Sequence, residues 1–311
     1  MLTDTKIDYT VLETVNRASI DKVDILEITN KHCRAKLSLF GAHLLSFIPQ
    51  RDQRERLWLS SAAIFDKSKA IRGGIPVCWP WFADIYPEHH NDESNSQSLR
   101  ASGDYPAHGF VRTQDWDVSA ISESEEETKI TLHPSKLGLF GFEKSLNVEI
   151  EFTFAEKCTV KLSSQNLSSI PQSITAALHS YLNVPSIDTL ELHGIEGKFI
   201  DKLEDSRLFD SPAHYRIEQE VDRIHLVDDS NKMEKVSVSF DERTTSNVAN
   251  LSVAHTGHDS VIIWNPWIDK SAKMADMPPE GYRNMLCIEA AISSLHCIAP
   301  NERHVLEQII D

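Results

Sequence analysis

The 311-residue chain lacks most of what would assign it to a membrane, a secreted scaffold or a nucleotide-binding class. No run approaches the roughly 18–20 apolar residues that a helix needs to cross a bilayer. The opening stretch MLTDTKIDYTVLETVNR carries no basic segment ahead of an apolar one, so no secretory leader is expected and the protein reads as cytoplasmic. The five cysteines, Cys33, Cys78, Cys158, Cys287 and Cys297, are odd in number and show no CxxC spacing. They argue for reduced thiols and against a disulfide framework or a zinc ribbon. Positive charge is scarce, with 31 Lys and Arg against 47 Asp and Glu for a formal net charge of −16. That balance disfavours nucleic acid and anionic membrane surfaces, and any small anionic ligand would need a local cluster of arginine or lysine. Phosphate-loop and dinucleotide fingerprints are missing, no GxSxG elbow appears, and no cysteine has an evident activating partner. What these absences leave is acid–base chemistry without a cofactor or a metal.

What the chain has in abundance is short strand-like runs separated by turn residues. They appear at Val23–Thr29, Cys33–Leu39, His43–Ile48 and Leu57–Ser60, then at Trp116–Ile121, Lys129–Leu132, Ser145–Phe154 and Cys158–Leu162. Later come Leu190–Leu192, Val221–Leu226, Val236–Phe240, Asn250–His255, Val261–Trp267, Met285–Ile292 and Val305–Ile310. The cleanest alternation places Leu146, Val148, Ile150, Phe152 and Phe154 on one face. Convincing long helices are missing, with one short helical turn expected at Ser271–Met277. Pro49–Arg56 reads as a solvated charged turn, and Glu123–Glu127 as a hairpin tip. Many short strands at close spacing predict an all-β, antiparallel sandwich, taken as one domain over residues 1–311 and expected to be a monomer.

Two strands carry a titratable residue opposite an apolar face. In Thr175–Asn183 the polar positions are Thr175, His179, Tyr181 and Asn183; in Met285–Ile292 Glu289 faces away from Leu286, Ile288, Ala290 and Ile292. From alternation alone, an ordinary surface histidine is the simpler reading of His179. A carboxylate within an apolar strand is costly to bury without a partner or a role. With ordinary pKa values of about 6.5 and 4.3, histidine and glutamate make a workable acid and base near neutrality. Two glycine-bearing aromatic loops each hold one arginine: Ile71-Arg-Gly-Gly-Ile-Pro-Val-Cys-Trp-Pro-Trp-Phe82 holds Arg72, and Ala107-His-Gly-Phe-Val-Arg-Thr-Gln-Asp-Trp116 holds Arg112. They could supply the cationic spot for an anion, and Arg72 reads equally as one half of a connector salt bridge. His89-His90 with Asp92 and Glu93 lie in a polar segment, His89–Ser102, read as a loop and not a metal cluster. His255-Thr-Gly-His258 reads as a turn.

The ordered set of segments Gly41-Ala-His43, Ile71–Phe82, His108-Gly-Phe-Val-Arg112, Leu178-His-Ser-Tyr-Leu182, Asp222-Arg223, Trp264-Asn-Pro-Trp267 with Lys270 and Asp276, and Cys287-Ile-Glu289 resembles the hexose-6-phosphate mutarotases (glucose-6-phosphate 1-epimerases) of the galactose-mutarotase-like superfamily. The resemblance implies an antiparallel β-supersandwich whose concave face holds a sugar phosphate. It also implies His179 as the acid that protonates the ring oxygen and Glu289 as the base on the C1 hydroxyl. Arg72 and Arg112 would hold the phosphate, Asp222 would bind sugar hydroxyls, and His108, in the Arg112 segment, joins the substrate-binding set. The sequence departs from the family pattern at Ala290-Ala291, where many relatives have Pro-Gly, and at Ala107, where some carry glutamine. A neutral-aldose 1-epimerase and a non-catalytic carbohydrate-binding protein on the same scaffold are the alternatives.

Overall fold

The computed structural model describes residues 7–85, 105–137, 145–227, 234–240 and 251–311. Among these residues twenty strands follow in chain order. The first five are β1 (Val15–Ile20), β2 (Val23–Thr29), β3 (Cys33–Ser38), β4 (His43–Pro49) and β5 (Val77–Cys78). Next come β6 (Trp116–Glu123), β7 (Thr128–Pro134), β8 (Leu146–Phe154), β9 (Cys158–Asn166), β10 (Gln172–Leu178) and β11 (Tyr181–Asn183). They continue with β12 (Leu190–His193), β13 (Lys198–Asp201), β14 (Arg207–Asp210), β15 (Val221–Leu226) and β16 (Glu234–Phe240). The last four are β17 (Leu251–Thr256), β18 (Ser260–Asn265), β19 (Met285–Ile298) and β20 (Arg303–Ile310).

The strands form a four-stranded sheet, β1-β2-β3-β4, and two eight-stranded sheets. One large sheet runs β12-β16-β17-β20-β9-β8-β7-β6; the other runs β14-β13-β15-β18-β19-β10-β5, with β11 also pairing with β19. The ladders are antiparallel, as expected for hairpin-rich sequence with one apolar face per strand. The main apolar cluster runs from Val15 to Ile310 and includes Leu146, Val148, Ile150, Phe152 and Phe154, each fully buried. These are the residues whose alternation defined a face in the sequence.

Several expectations shift. Leu57–Ser60 is not a strand but forms two isolated bridges, Leu57 to Leu182 and Leu59 to Gly73, that tie the Arg72 loop to the sheet. The charged turn Pro49–Arg56 is not solvated at its end. Arg56 is buried against Asp52 at 2.6 Å, and the Glu55 carboxylate accepts the backbone N–H of Phe47 at 2.8 Å and of Leu57 at 3.0 Å. The short helix falls at Trp267–Ser271, ahead of the expected Ser271–Met277. Pro266 fixes its entry and Asn265 Oδ1 accepts the Trp267 N–H at 2.9 Å. β1 lies ahead of Val23–Thr29, the first run expected from the sequence, and the hairpin β13–β14 arises from runs too short and polar to signal. His89–Ser102 lies outside the described residues.

Candidate active site

Strand register builds the site. In β15, β18 and β19, Asp222 lies opposite Trp264, Trp264 opposite Cys287, and Ile262 opposite Glu289. Directly paired residues share a face, so Asp222, Trp264, Cys287 and Glu289 project from one side of the sheet. On the other side of β19, β10 pairs down to Leu178↔Ala290, and pairing resumes in the same register at Tyr181↔Cys287 in β11. His179 therefore falls at the level of Glu289.

His179 is not mid-strand, as its alternation implied; it sits in the break between β10 and β11. Its N–H donates to Pro76 O at 3.0 Å, and the Tyr181 N–H donates to Gly74 O at 2.9 Å. The Arg72 loop thus lies alongside the histidine strand, hydrogen-bonded to it. Gly74 makes that approach feasible: it has φ +61°, and a Cβ there would lie 2.3 Å from Leu44 O. Gly109 does the same for the second arginine loop, with φ +70° and a hypothetical Cβ 2.0 Å from Trp79 O.

The two residues read as acid and base meet. His179 Nδ1 lies 3.1 Å from Glu289 Oε1, with the side chains 12% and 1% exposed. The contact is close but not aligned as a hydrogen bond: His179 Nδ1 and Glu289 Oε2 are both buried without a hydrogen-bond partner. Glu289 is therefore not on a water-facing side, as the sequence pattern implied. A second apolar cluster of Cys78, Phe82, Ala177, Ile224, Ile262 and Ala291 surrounds it on this face of the sheet. Burial, reinforced by Asp222, pushes the Glu289 carboxyl well above its ordinary range. Burial, with His108 and the positive charges of Arg112 and Arg72 acting in the same direction, pushes His179 well below 6.5. Each partner is held toward its neutral form, so the pair carries one shared proton.

A cavity of about 260 Å³ opens above the pair, lined among others by Arg72, His108, His179, Asp222, Trp264 and Glu289. A smaller one of about 160 Å³ shares Arg72, His108, His179 and Tyr181 with it and adds Arg112. Of the six residues singled out in the sequence, five thus line the larger cavity, and Arg112 lines only the smaller. His108 has φ +64°. Its Nδ1 accepts the Ala83 N–H at 3.3 Å, which leaves the ring proton on Nε2 as a donor. Burial and the two arginines lower its pKa to about 3, so it stays neutral. Burial raises the Asp222 carboxyl, against the opposing pull of Lys270 and Lys202.

Arg72 forms the connector salt bridge and also faces the cavities. Its guanidinium donates to Asp276 at 3.3 and 3.4 Å and to the Tyr181 hydroxyl at 2.9 Å, while still lining both cavities. The Tyr181 ring in turn stacks on His179 at 4.9 Å between centroids, only 9° from parallel. Arg112 donates to Ala107 O at 2.8 Å and has no carboxylate partner among the described residues. Sequence reasoning missed Lys202, which lines the larger cavity from the turn after β13. It also gave no role to Tyr181, Trp264, Lys270 or Asp276. Lys202 has no sequence signal, because only the pairing of β13 with β15 brings it to the cleft.

Chemically, the arrangement offers an acid–base pair held by β19 and by the hydrogen-bonded break between β10 and β11, aromatic walls from Tyr181 and Trp264, and cationic groups beside the cavity. The family model described as Aldose 1-epimerase matches residues 24–311. The chain is 31% identical over 285 residues to a protein of Escherichia coli (strain K12) named "Putative glucose-6-phosphate 1-epimerase", covering 90% of this chain and 87% of that one. It is 29% identical over 294 residues to a protein of the same name from Salmonella typhimurium, covering 93% and 90%. The crystal structure of a "putative mutarotase (YeaD)" from Salmonella typhimurium superposes with a TM-score of 0.81 at 26% identity, covering 98% of this chain and 95% of that one.

Proposed function

The chain belongs to the aldose 1-epimerase family, and from that premise we propose that it interconverts the α and β anomers of a hexose 6-phosphate, glucose 6-phosphate first among them. The observation that carries the reading is the His179–Glu289 pair, 3.1 Å apart beneath a cavity whose neighbouring lobe holds Arg112. The sugar phosphate is supported by the names of the relatives and by the two arginines.

In the proposed reaction Glu289, as carboxylate, takes the proton of the C1 hydroxyl. His179, as imidazolium, gives a proton to the ring oxygen, with Nε2 the free nitrogen because Nδ1 faces Glu289. The C1–O5 bond breaks as the C1 carbonyl forms. Rotation about C1–C2 then lets the O5 hydroxyl add to the other face, with both proton movements reversed. The pair holds one proton throughout. On entry the proton is on His179; in the ring-opened state it is on Glu289. Burial favours the second arrangement, so the pair is set for ring closure. Asp222 and the His108 Nε2–H would orient hydroxyls, and Arg72 and Arg112 would hold the phosphate. No step calls on a cofactor or a metal.

One observation favours a neutral aldose instead: the Arg72 guanidinium already serves Asp276 and Tyr181. Saturation-transfer NMR on glucose 6-phosphate and on free glucose decides between them. The proposal expects Arg112→Ala and Arg72→Ala to slow the phosphate ester and spare the free sugar. Equal loss on both makes the arginines structural, and binding without anomerisation above background makes the protein a carbohydrate-binding module. The same reading takes residues 1–311 as one domain, a cytoplasmic monomer. The main apolar cluster, which runs from Val15 to Ile310, supports the single domain, and five free cysteines support the cytoplasmic setting. Among the described residues no helix is long and apolar enough to cross a membrane.

A further inference from the structure

Cys287 has no part in the reaction above, yet it stands on the floor of the same site. It and Glu289 are two apart on β19 and share a face, while His179 reaches the same level from the neighbouring break. One ligand atom from each of the three, an imidazole nitrogen, the thiol sulfur and a carboxylate oxygen, all lie within 4.8 Å of one another. We propose that His179, Cys287 and Glu289 form a capture site for a thiophilic divalent cation of the Zn²⁺ type, and that its occupancy silences the acid–base pair. The silencing rests on the proposed function; the binding rests on geometry alone.

The donor set is selective. Nitrogen, sulfur and a single carboxylate suit Zn²⁺, Co²⁺ or Cd²⁺ and are wrong for Mg²⁺ or Ca²⁺, which want oxygen. Three protein ligands with a fourth position open to a cavity is also the arrangement of an accessible zinc site. His179 and Glu289 both line the cavity, which gives the ion an entry path. Glu289 is 1% exposed and its Oε2 has no hydrogen-bond partner, so a buried acceptor is waiting for a donor or an ion. Cys287 and Glu289 are held in β19, and the His179 backbone is fixed by its N–H···O bond to Pro76, so little ordering is needed on binding.

The charge balance is favourable as well. The dication would be matched by one thiolate and one carboxylate, with His179 as a neutral ligand, so binding expels whatever protons those groups carry and leaves no net charge at the buried site. With His179 and Glu289 both ligated, neither ring opening nor closure has its acid or its base.

The test titrates metal-stripped protein with CoCl₂ and ZnCl₂ and follows anomerisation in parallel. The proposal expects one ion per site, a visible Co²⁺ spectrum with a thiolate charge-transfer band, and loss of activity with the same midpoint. Cys287→Ala, with Cys287→Ser as a second variant for folding, should keep its basal activity and lose the charge-transfer band. Zn²⁺ inhibition should weaken by at least the ~10–100-fold that losing even an outer-shell partner costs a metal site. A Co²⁺ spectrum without thiolate character, or unchanged Zn²⁺ inhibition in a folded Cys287 variant, overturns it. If metal-free protein shows no anomerisation yet Co²⁺ binds through the thiol, the site stands and the enzymatic reading falls.

Discussion

Strands β8 and β19 are made of similar residues and do opposite jobs. In β8, buried and half-buried positions alternate along all nine residues, with Asn147, Glu149, Glu151 and Thr153 on the outer face. In β19 the first eight positions, Met285–Ile292, are all buried, although Glu289 is among them. The outer face of β8 is only partly covered, and its carboxylates cost little. On the corresponding face of β19 the carboxylate is hemmed in by Phe82, Ile224 and Ile262, so it is expensive, and it has a histidine as neighbour. A polar group on a strand's second face therefore means little until one knows whether water or protein lies above it.

The sharpest way to break this contrast is to make one change in both strands. Glu289→Gln should lower anomerisation of glucose 6-phosphate by about 10²–10⁴-fold, the usual worth of a general acid or base, while Glu149→Gln in β8 leaves the rate untouched. Equal effects would deny the two faces their different roles. The converse change follows in size. Ile150→Ala, on the fully buried face of β8, should cost about 2–5 kcal/mol of stability in a denaturant titration with kcat unchanged in the folded protein.

A subtler test uses pH. The reaction needs one proton on the pair, so it fails when a second is added or the only one is lost. Burial holds His179 well below 6.5, so the acid limb of kcat/KM should lie well under that pH. It holds Glu289 well above 4.5, so the alkaline limb is displaced upward from the ordinary glutamate range. A rate that halves on acidification through 6.5 would show His179 to be a water-exposed histidine after all.

The smallest expected effect concerns stability. Above pH 4.5 the folded chain keeps the Glu289 proton and the unfolded chain releases it, so unfolding sheds a proton and stability falls as pH rises from there. Glu289→Gln has no proton to shed. It should melt above the parent at neutral pH, with the difference disappearing below pH 4.5; a lower melting temperature at pH 7 would mean that the buried carboxylate is stabilising.

The sequence made β8 legible because period two is a local property. Leu146 through Phe154 alternate whatever the rest of the chain does, and the sandwich class follows from many such runs. The site was legible in part, since Glu289 stood out as a charge in an apolar strand and the family resemblance paired it with His179. Their 3.1 Å contact was not, because it depends on the register of β10 and β11 against β19, set by pairings more than a hundred residues apart. Both residues do line the cavity from the non-core face, but how deeply they are buried there was not legible, because the residues around them, such as Phe82 and Ile224, come from other strands and loops. Lys202 lay out of reach entirely.

The hydrogen bonds from His179 N to Pro76 O and from Tyr181 N to Gly74 O bind the Arg72 loop to the proton-transfer strand as though it were another strand. On the proposed assignment, the anion end and the C1 end of the substrate are thus gripped by one rigid body. The site then works as a ruler. A sugar phosphate one carbon shorter, bound by the same anion, would leave its anomeric carbon short of Glu289, and discrimination by chain length would appear in the rate and not in the affinity.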